Sequence, residues 1–127
     1  MKIHLIEDLD TYREAFDFQQ SIFEKSKSWP REESYSLIDQ IRRSSRSVGA
    51  SLSEAWAKRE YPAHFHSKLT DSDSELLETG HWLRTARSCG YLSDEDFQKL
   101  KEQRDTLGRR IGKMIQTSNN FCSPRKK

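Results

Sequence analysis

Apolar and small residues recur along this chain every three or four positions, in separate stretches divided by proline and glycine. That period holds them on one side of an α-helix. The clearest stretch runs from Gln40 to Trp56, where Ile41, Ser45, Val48, Leu52 and Ala55 form one narrow stripe. Its residues are mostly small, which predicts a helix packed closely on a neighbour. Earlier, Leu9, Tyr12, Phe16, Ile22 and Phe23 predict the inner face of a first helix, capped by Asp8 and ending near Lys27, with Phe18 toward the other side. Ser28-Trp29-Pro30 breaks the pattern, because the residue before a proline avoids helical geometry. Pro30 can open the second helix, with Glu32 and Glu33 in its first turn, and that helix is expected to run to about Arg59. Gly49 in its middle costs roughly 1 kcal/mol against alanine, and close approach of a neighbouring backbone is the expected compensation.

Pro62 marks the next start. Phe65, Leu69, Ser72, Leu76, Gly80 and Leu83 predict the inner stripe of a third helix that stops near Cys89, with Gly90 as a left-handed cap. Ser93 then caps a fourth helix whose stripe is Phe97, Leu100, Arg104, Leu107, Ile111 and Met114. Short connections make neighbouring helices antiparallel. The pattern therefore predicts an all-α, antiparallel up-down-up-down four-helix bundle as a single domain over residues 1–117, followed by a basic, disordered tail over 118–127.

Composition narrows the class. The chain has 127 residues, 33% of them charged and 33% hydrophobic, and a mean hydropathy of −0.96. Such a chain suits helices buried on one side, or subunits that cover one another. It has no apolar run long enough for a membrane span. Its N-terminus turns acidic at Glu7-Asp8 before a signal-peptide core can form, so a cytoplasmic protein is expected. Cys89 and Cys122 share no metal-binding spacing and read as a buried small residue and a tail thiol. The net charge of +2 is unevenly spread: Arg109, Arg110, Lys113, Arg125, Lys126 and Lys127 close the chain without an acid, while acids dominate the first helix. That asymmetry points to an acidic partner such as nucleic acid, or to how subunits meet.

Candidate chemistry is sparse. Arg42 and Arg46 fall together on the second helix beside the core stripe, with Arg43 farther round and Lys58 and Arg59 at the helix end. Arg109, Arg110 and Lys113 point away from the stripe of the fourth. Such side chains hold phosphates without sequence choice; equally, they make a solvated face or inter-subunit salt bridges. Trp82, with Ala86 nearby, lies off the third-helix stripe and is a candidate subunit contact, the alternative being packing under a loop. Glu78 and His81 have the Glu-x-x-His spacing of di-iron bundles, but in one copy and directed away from the stripe. Arg104, inside an apolar stripe, needs a partner, for which Glu54 and Glu78 are candidates. Arg87 is placed to bond the terminal carbonyls of the third helix. No catalytic constellation and no cofactor motif is present in the sequence.

Three segments together resemble a known family. Gln40-Ile41-Arg42-Arg43-Ser44-Ser45, Ser47-Val48 and Ser51-Leu52-Ser53-Glu54 are similar to the Q-I-R-R-A-A-x-S-I-x-x-N-I-A-E-G segment of the bacterial 23S rRNA intervening-sequence proteins. Pro30-Arg31-Glu32-Glu33-Ser34-Tyr35-Ser36-Leu37 resembles that family's F-P-x-E-E-x-Y-x-L turn, with Trp29 in place of the phenylalanine. Glu78-Thr79-Gly80-His81-Trp82-Leu83 and Gly90-Tyr91-Leu92 resemble its E-T-x-Y-W-L and G-Y-L segments. The resemblance implies an antiparallel four-helix bundle, related to the accessory protein of diversity-generating retroelements. It also implies assembly as a homopentamer with a basic surface, nucleic acid as partner and, for the retroelement relatives, a reverse transcriptase. It carries no catalytic residues, and Arg42 and Arg43 are the basic positions it matches. Ser51 stands for the family's asparagine, Ala55 for its glycine and Gly49 where proline is common, while Arg46 replaces a usually apolar residue.

The expectation is a non-enzymatic, oligomeric protein that holds RNA or DNA phosphates through Arg42, Arg43, Arg46, Lys58, Arg59, Arg109, Arg110 and Lys113. The alternative is an assembly scaffold whose arginines pair across subunits.

Overall fold

A computed structural model of the protein describes residues 3–124. Four helices account for most of them: α1 (Asp10–Ser26), α2 (Leu37–Ala57), α3 (Pro62–Ser88) and α4 (Asp94–Gln116). Short 3-10 turns occupy Ile6–Asp8, Arg31–Glu33 and Ser118–Phe121, and there is no strand among the described residues. Each helix packs on two others, in the cyclic order α1, α2, α3, α4 and back to α1.

Contacts between neighbours run in opposite senses, so every adjacent pair is antiparallel. On α1 and α2, Ser26 meets Arg42 while Ala15 faces Gly49. On α2 and α3, Ser44 meets Thr79 and Val48 meets Ser72. On α1 and α4, Lys25 pairs with Asp96 at one end and Glu14 with Arg110 at the other.

Side-chain size sets how closely these helices approach. The stripe Ile41, Ser45, Val48, Leu52 and Ala55 is buried as expected, and Ser44 joins it. Ser72 donates to the Val48 carbonyl across the α2–α3 seam at 2.8 Å. A hydroxyl reaches a mid-helix carbonyl of another helix only when the two backbones are close, and small residues on both sides allow it. Deeper along the seam the Thr79 and Ser44 hydroxyls are hydrogen-bonded at 2.9 Å. These polar groups are fully buried yet satisfied, so they do not carry the desolvation cost of an unpaired group.

Several expectations need correction. The inner face of α1 is Thr11, Ala15, Phe18, Ile22 and Ser26; Phe18 is buried and Phe16 is 48% exposed. Asp8 does not cap α1, because it lies in the preceding turn and Leu9 occupies the cap position. Pro30 opens only the turn Arg31–Glu33, and α2 begins at Leu37. There the Glu33 carboxylate accepts from the Ser36 hydroxyl at 2.6 Å and from the Leu37 N–H at 3.4 Å. It thus supplies an acceptor to the positive end of the helix, well past Pro30, where the helix was expected to open. Gly49 meets no backbone; the nearest atoms to a Cβ there are side-chain atoms of Gln19, Ala15 and Tyr12 at ordinary contact distances of 3.8 to 4.0 Å. On α3, Thr79 is buried and Gly80 only half-buried, facing Arg104. Arg104 pairs with Asp105 at 2.9 Å and with neither Glu54 nor Glu78. Arg87 pairs with Asp94 at 3.0 Å instead of the α3 carbonyls. Cys89 is exposed.

The segment after α4 is also ordered as far as it is described. Ser118–Phe121 forms a turn that stacks Phe121 on Phe65, with ring centroids 6.0 Å apart, and the Ser123 N–H donates to the Arg59 carbonyl. This part of the expected tail is thus packed on the bundle, with Phe121 as an apolar anchor. The basic residues Arg125, Lys126 and Lys127 lie outside the described residues.

The other ends follow the expected chemistry. Gly90 has φ +81°, and the Gly90 and Tyr91 N–H groups donate to the Arg87 and Ala86 carbonyls, a Schellman closure of α3. The Ser93 hydroxyl accepts from the Asp96 N–H at 3.0 Å and caps α4. No described helix is long and apolar enough to cross a membrane.

Candidate nucleic-acid interface

The basic positions separate into unlike environments once the helices are packed. Arg42 and Arg46 lie one turn apart on α2 and both reach back over α1. Their guanidinium carbons sit 4.7 and 5.4 Å from the centroid of the Phe23 ring. Lys27, just past the end of α1, places its Nζ 4.7 Å from the same centroid. Three cations therefore share one half-buried aromatic ring. A ring face attracts cations through its quadrupole, by about 0.5–1 kcal/mol each at exposed sites.

Arg42 is held more firmly than the others. Its Nε donates to the Ser26 hydroxyl at 2.9 Å, and that hydroxyl donates in turn to the Phe23 carbonyl at 3.0 Å. Ser26 is itself buried in the α1–α2 contact. This bond takes one edge of the guanidinium and leaves the terminal nitrogens with no protein acceptor among the described residues. Neither Arg42 nor Arg46 has a carboxylate partner among the described residues, while Lys27 has only Glu24, at 3.1 Å. Repulsion among the three cations is therefore little compensated by protein acids. A bound anion would relieve it, and planar guanidinium forks suit phosphate oxygens.

The remaining predicted positions do not join this cluster. Arg43 turns to the other flank of α2, where it meets Gln40 at 3.0 Å and lies 3.9 Å from Glu78. Arg59 stacks on Trp56 at 3.9 Å and donates to its carbonyl. Lys58 is exposed beside it. Arg110 pairs with Glu14 at 2.6 Å, Arg109 donates to Thr106 at 3.3 Å, and Lys113 is exposed on the same helix end. The α4 cations thus lie beside the first half of α1, and the Phe23 cluster lies at its far end.

The predicted subunit-contact residues fare differently from one another. Trp82 is half-buried and donates from Nε1 to Glu78 at 3.1 Å. Ala86 is fully buried within the chain and has no surface to offer a second copy. It lies on the α3 stripe four residues before the left-handed cap, where the sequence pattern placed Gly80 too far inward and Ala86 too far out. Glu75, beside Glu78, is raised in pKa by burial and by the neighbouring Glu78 charge. Among the described residues, no three metal-ligating side chains gather.

Lys27, Ser26 and Phe23 are the site residues that the pattern did not single out. Phe23 reads as core and Lys27 as a helix-end charge. Only the packing of α1 on α2 brings them to Arg42, and no local signal marks that meeting.

Comparison with known proteins places the chain in context. The profile described as 23S rRNA-intervening sequence protein matches residues 7–113. The fold resembles a crystal structure of a protein of unknown function from the S23 ribosomal protein family of Bacteroides thetaiotaomicron, with a TM-score of 0.76 and 23% identity, covering 84% of this chain and 95% of that one. No curated protein matches the chain.

Proposed function

The chain belongs to the 23S rRNA-intervening sequence protein family, and from that premise we propose that it is a non-enzymatic, cytoplasmic nucleic-acid-binding protein that holds RNA or DNA phosphates at the Lys27–Arg42–Arg46 cluster. Its working form is a homo-oligomer, a pentamer by family resemblance, which repeats the basic cluster on each subunit. The observation that carries the proposal is the convergence of three cations on Phe23, with Arg42 and Arg46 unpaired by acid among the described residues. The other predicted cations, Lys58, Arg59, Arg109 and Lys113, add long-range attraction. Arg43 and Arg110 contribute less, because each is near a carboxylate of its own chain.

Phosphate contacts supply affinity without sequence choice, so the ligand is recognised by its backbone. In a gel-shift or anisotropy titration at about 50 mM salt, wild-type protein retains structured RNA, and Arg42→Glu/Arg46→Glu loses it. Arg43→Glu changes retention much less. Equal retention by the wild type and the double variant sinks the proposal.

The second reading is an assembly scaffold with Arg42 and Arg46 paired to acids of another subunit. It rests on the same lack of intrachain partners. Under it, the double variant changes the oligomer's mass in light scattering while RNA retention is absent from wild type as well.

A further inference from the structure

A second surface is independent of the Phe23 cluster. Between α3 and α4 runs an open groove of about 800 Å³. Its floor carries Leu83 and Phe97, and Leu77 stands on its edge, 57% exposed. Four cations line it, Arg84, Arg87, Lys101 and Arg104, against one carboxylate, Asp105. Lys101 and Arg104 share that carboxylate, at 2.8 and 2.9 Å. Arg87 has Asp94, and Arg84 has no ion-pair partner among the described residues. Gly80 contributes by absence of a side chain: a Cβ there would lie 2.8 Å from Arg104 Nε. The glycine lets Arg104 lie close along α3.

Shape and charge together select the occupant. From Leu77 to Ser88 the groove follows α3 for about 16 Å, roughly three helical turns. The cations are spread along both rims, which suits an extended row of acids better than one anionic head group. Leu83 and Phe97 are only 2% and 6% exposed, and the Phe97 ring is covered by Arg87 at 4.7 Å. The floor therefore offers no free aromatic face for stacking nucleobases. Cationic rims beside the exposed Leu77 fit a helix that carries apolar residues flanked by carboxylates.

We propose that the α3–α4 groove docks an acidic amphipathic helix of a partner protein, with its apolar side seated on Leu77 and its carboxylates toward Arg84 and Arg104.

The test uses the full chain and a fluorescein-labelled peptide of about four helical turns, with leucines at i, i+3 and i+7 and flanking glutamates. Anisotropy should report a Kd on the order of 10 μM, with Leu77→Glu or Arg84→Glu each weakening it about tenfold or more. A counterpart peptide with lysines for the glutamates should not bind. Leu77 and Arg84 are exposed, so both variants should keep the wild-type circular-dichroism melt. Arg42→Glu/Arg46→Glu should bind the peptide normally, which separates this site from the nucleic-acid site. No binding of the glutamate peptide overturns the proposal, as does equal binding of both peptides or affinity unmoved by Leu77→Glu and Arg84→Glu. A wild-type oligomer that dissociates in Leu77→Glu assigns the groove to a second copy of the chain and equally overturns it.

Discussion

Ser26 joins two helices through one hydroxyl, accepting from Arg42 and donating to the Phe23 carbonyl. Ser26→Ala leaves the Arg42 charge in place but removes its fixed orientation. RNA affinity in the same anisotropy titration should fall about three- to tenfold, less than for loss of the charge, with fold stability lowered by about 1 kcal/mol. Unchanged affinity would show that Arg42 needs no positioning. Glu33 is a second residue with several partners: the Ser36 hydroxyl, the Leu37 N–H and the Tyr91 hydroxyl at 2.8 Å. The Ser36 bond, followed by the Tyr91 bond, lowers the Glu33 pKa, while the Glu33 bond pushes Tyr91 up to about 12. The signs follow. Glu33 stabilises the fold above its unfolded pKa, and that contribution is lost as pH falls through its lowered folded value. The Tyr91 contribution is present below the usual tyrosine range, near 10, and fades as pH rises toward about 12. Phenolate absorbance should show one tyrosine titrating near 12, a step absent from Tyr91→Phe. A Tyr91→Phe titration identical to wild type would rule the linkage out.

The α2–α3 seam depends on small side chains over several turns. Ser72→Leu should cost about 1–3 kcal/mol in urea unfolding, because the side chain must enter a contact where a hydroxyl reaches the Val48 carbonyl at 2.8 Å. Gly49→Ala should do the opposite on the α1-facing side of α2. A Cβ there finds only ordinary contacts, so helix propensity dominates and the melting temperature should rise, with a gain of about 0.5–1 kcal/mol. A fall would mean that α1 cannot accommodate the methyl group. The four helices and the buried stripe of α2 were legible in the sequence because their period is sustained, and at Gly90 and Ser93 the caps agree with it. The face of α1 was less so, since Thr11, Ala15 and Ser26 carry little hydrophobic signal and the neighbouring Phe16 carries much. The start of α2 was displaced for a similar reason. Pro30 is a visible start signal, whereas the carboxylate of Glu33 acts at Leu37 only through a turn that the pattern does not reveal.

At the scale of the molecule, the charge asymmetry of the sequence is partly neutralised within the chain. Acid-rich α1 lies against α4, so Glu14 meets Arg110 and Lys25 meets Asp96. The Lys25 bond lowers the Asp96 pKa. The Phe23 cluster stands outside that pairing, which is why the nucleic-acid account rests on it and not on the total of basic residues. Legibility was correspondingly uneven: Arg42 and Arg46 were placed together by their spacing on one helix, but Lys27 and Phe23 joined them only through packing. The most direct measurement is the salt dependence of RNA binding. If wild type makes three phosphate contacts at the cluster, log K should fall against log salt with a slope of about −2.7 on a duplex from these contacts alone. Arg42→Gln/Arg46→Gln should flatten the slope by about 1.8, and Arg109→Gln/Lys113→Gln should flatten it far less. A slope equally flattened by both pairs, or moved by neither, would contradict the assignment of the Phe23 cluster as the phosphate site.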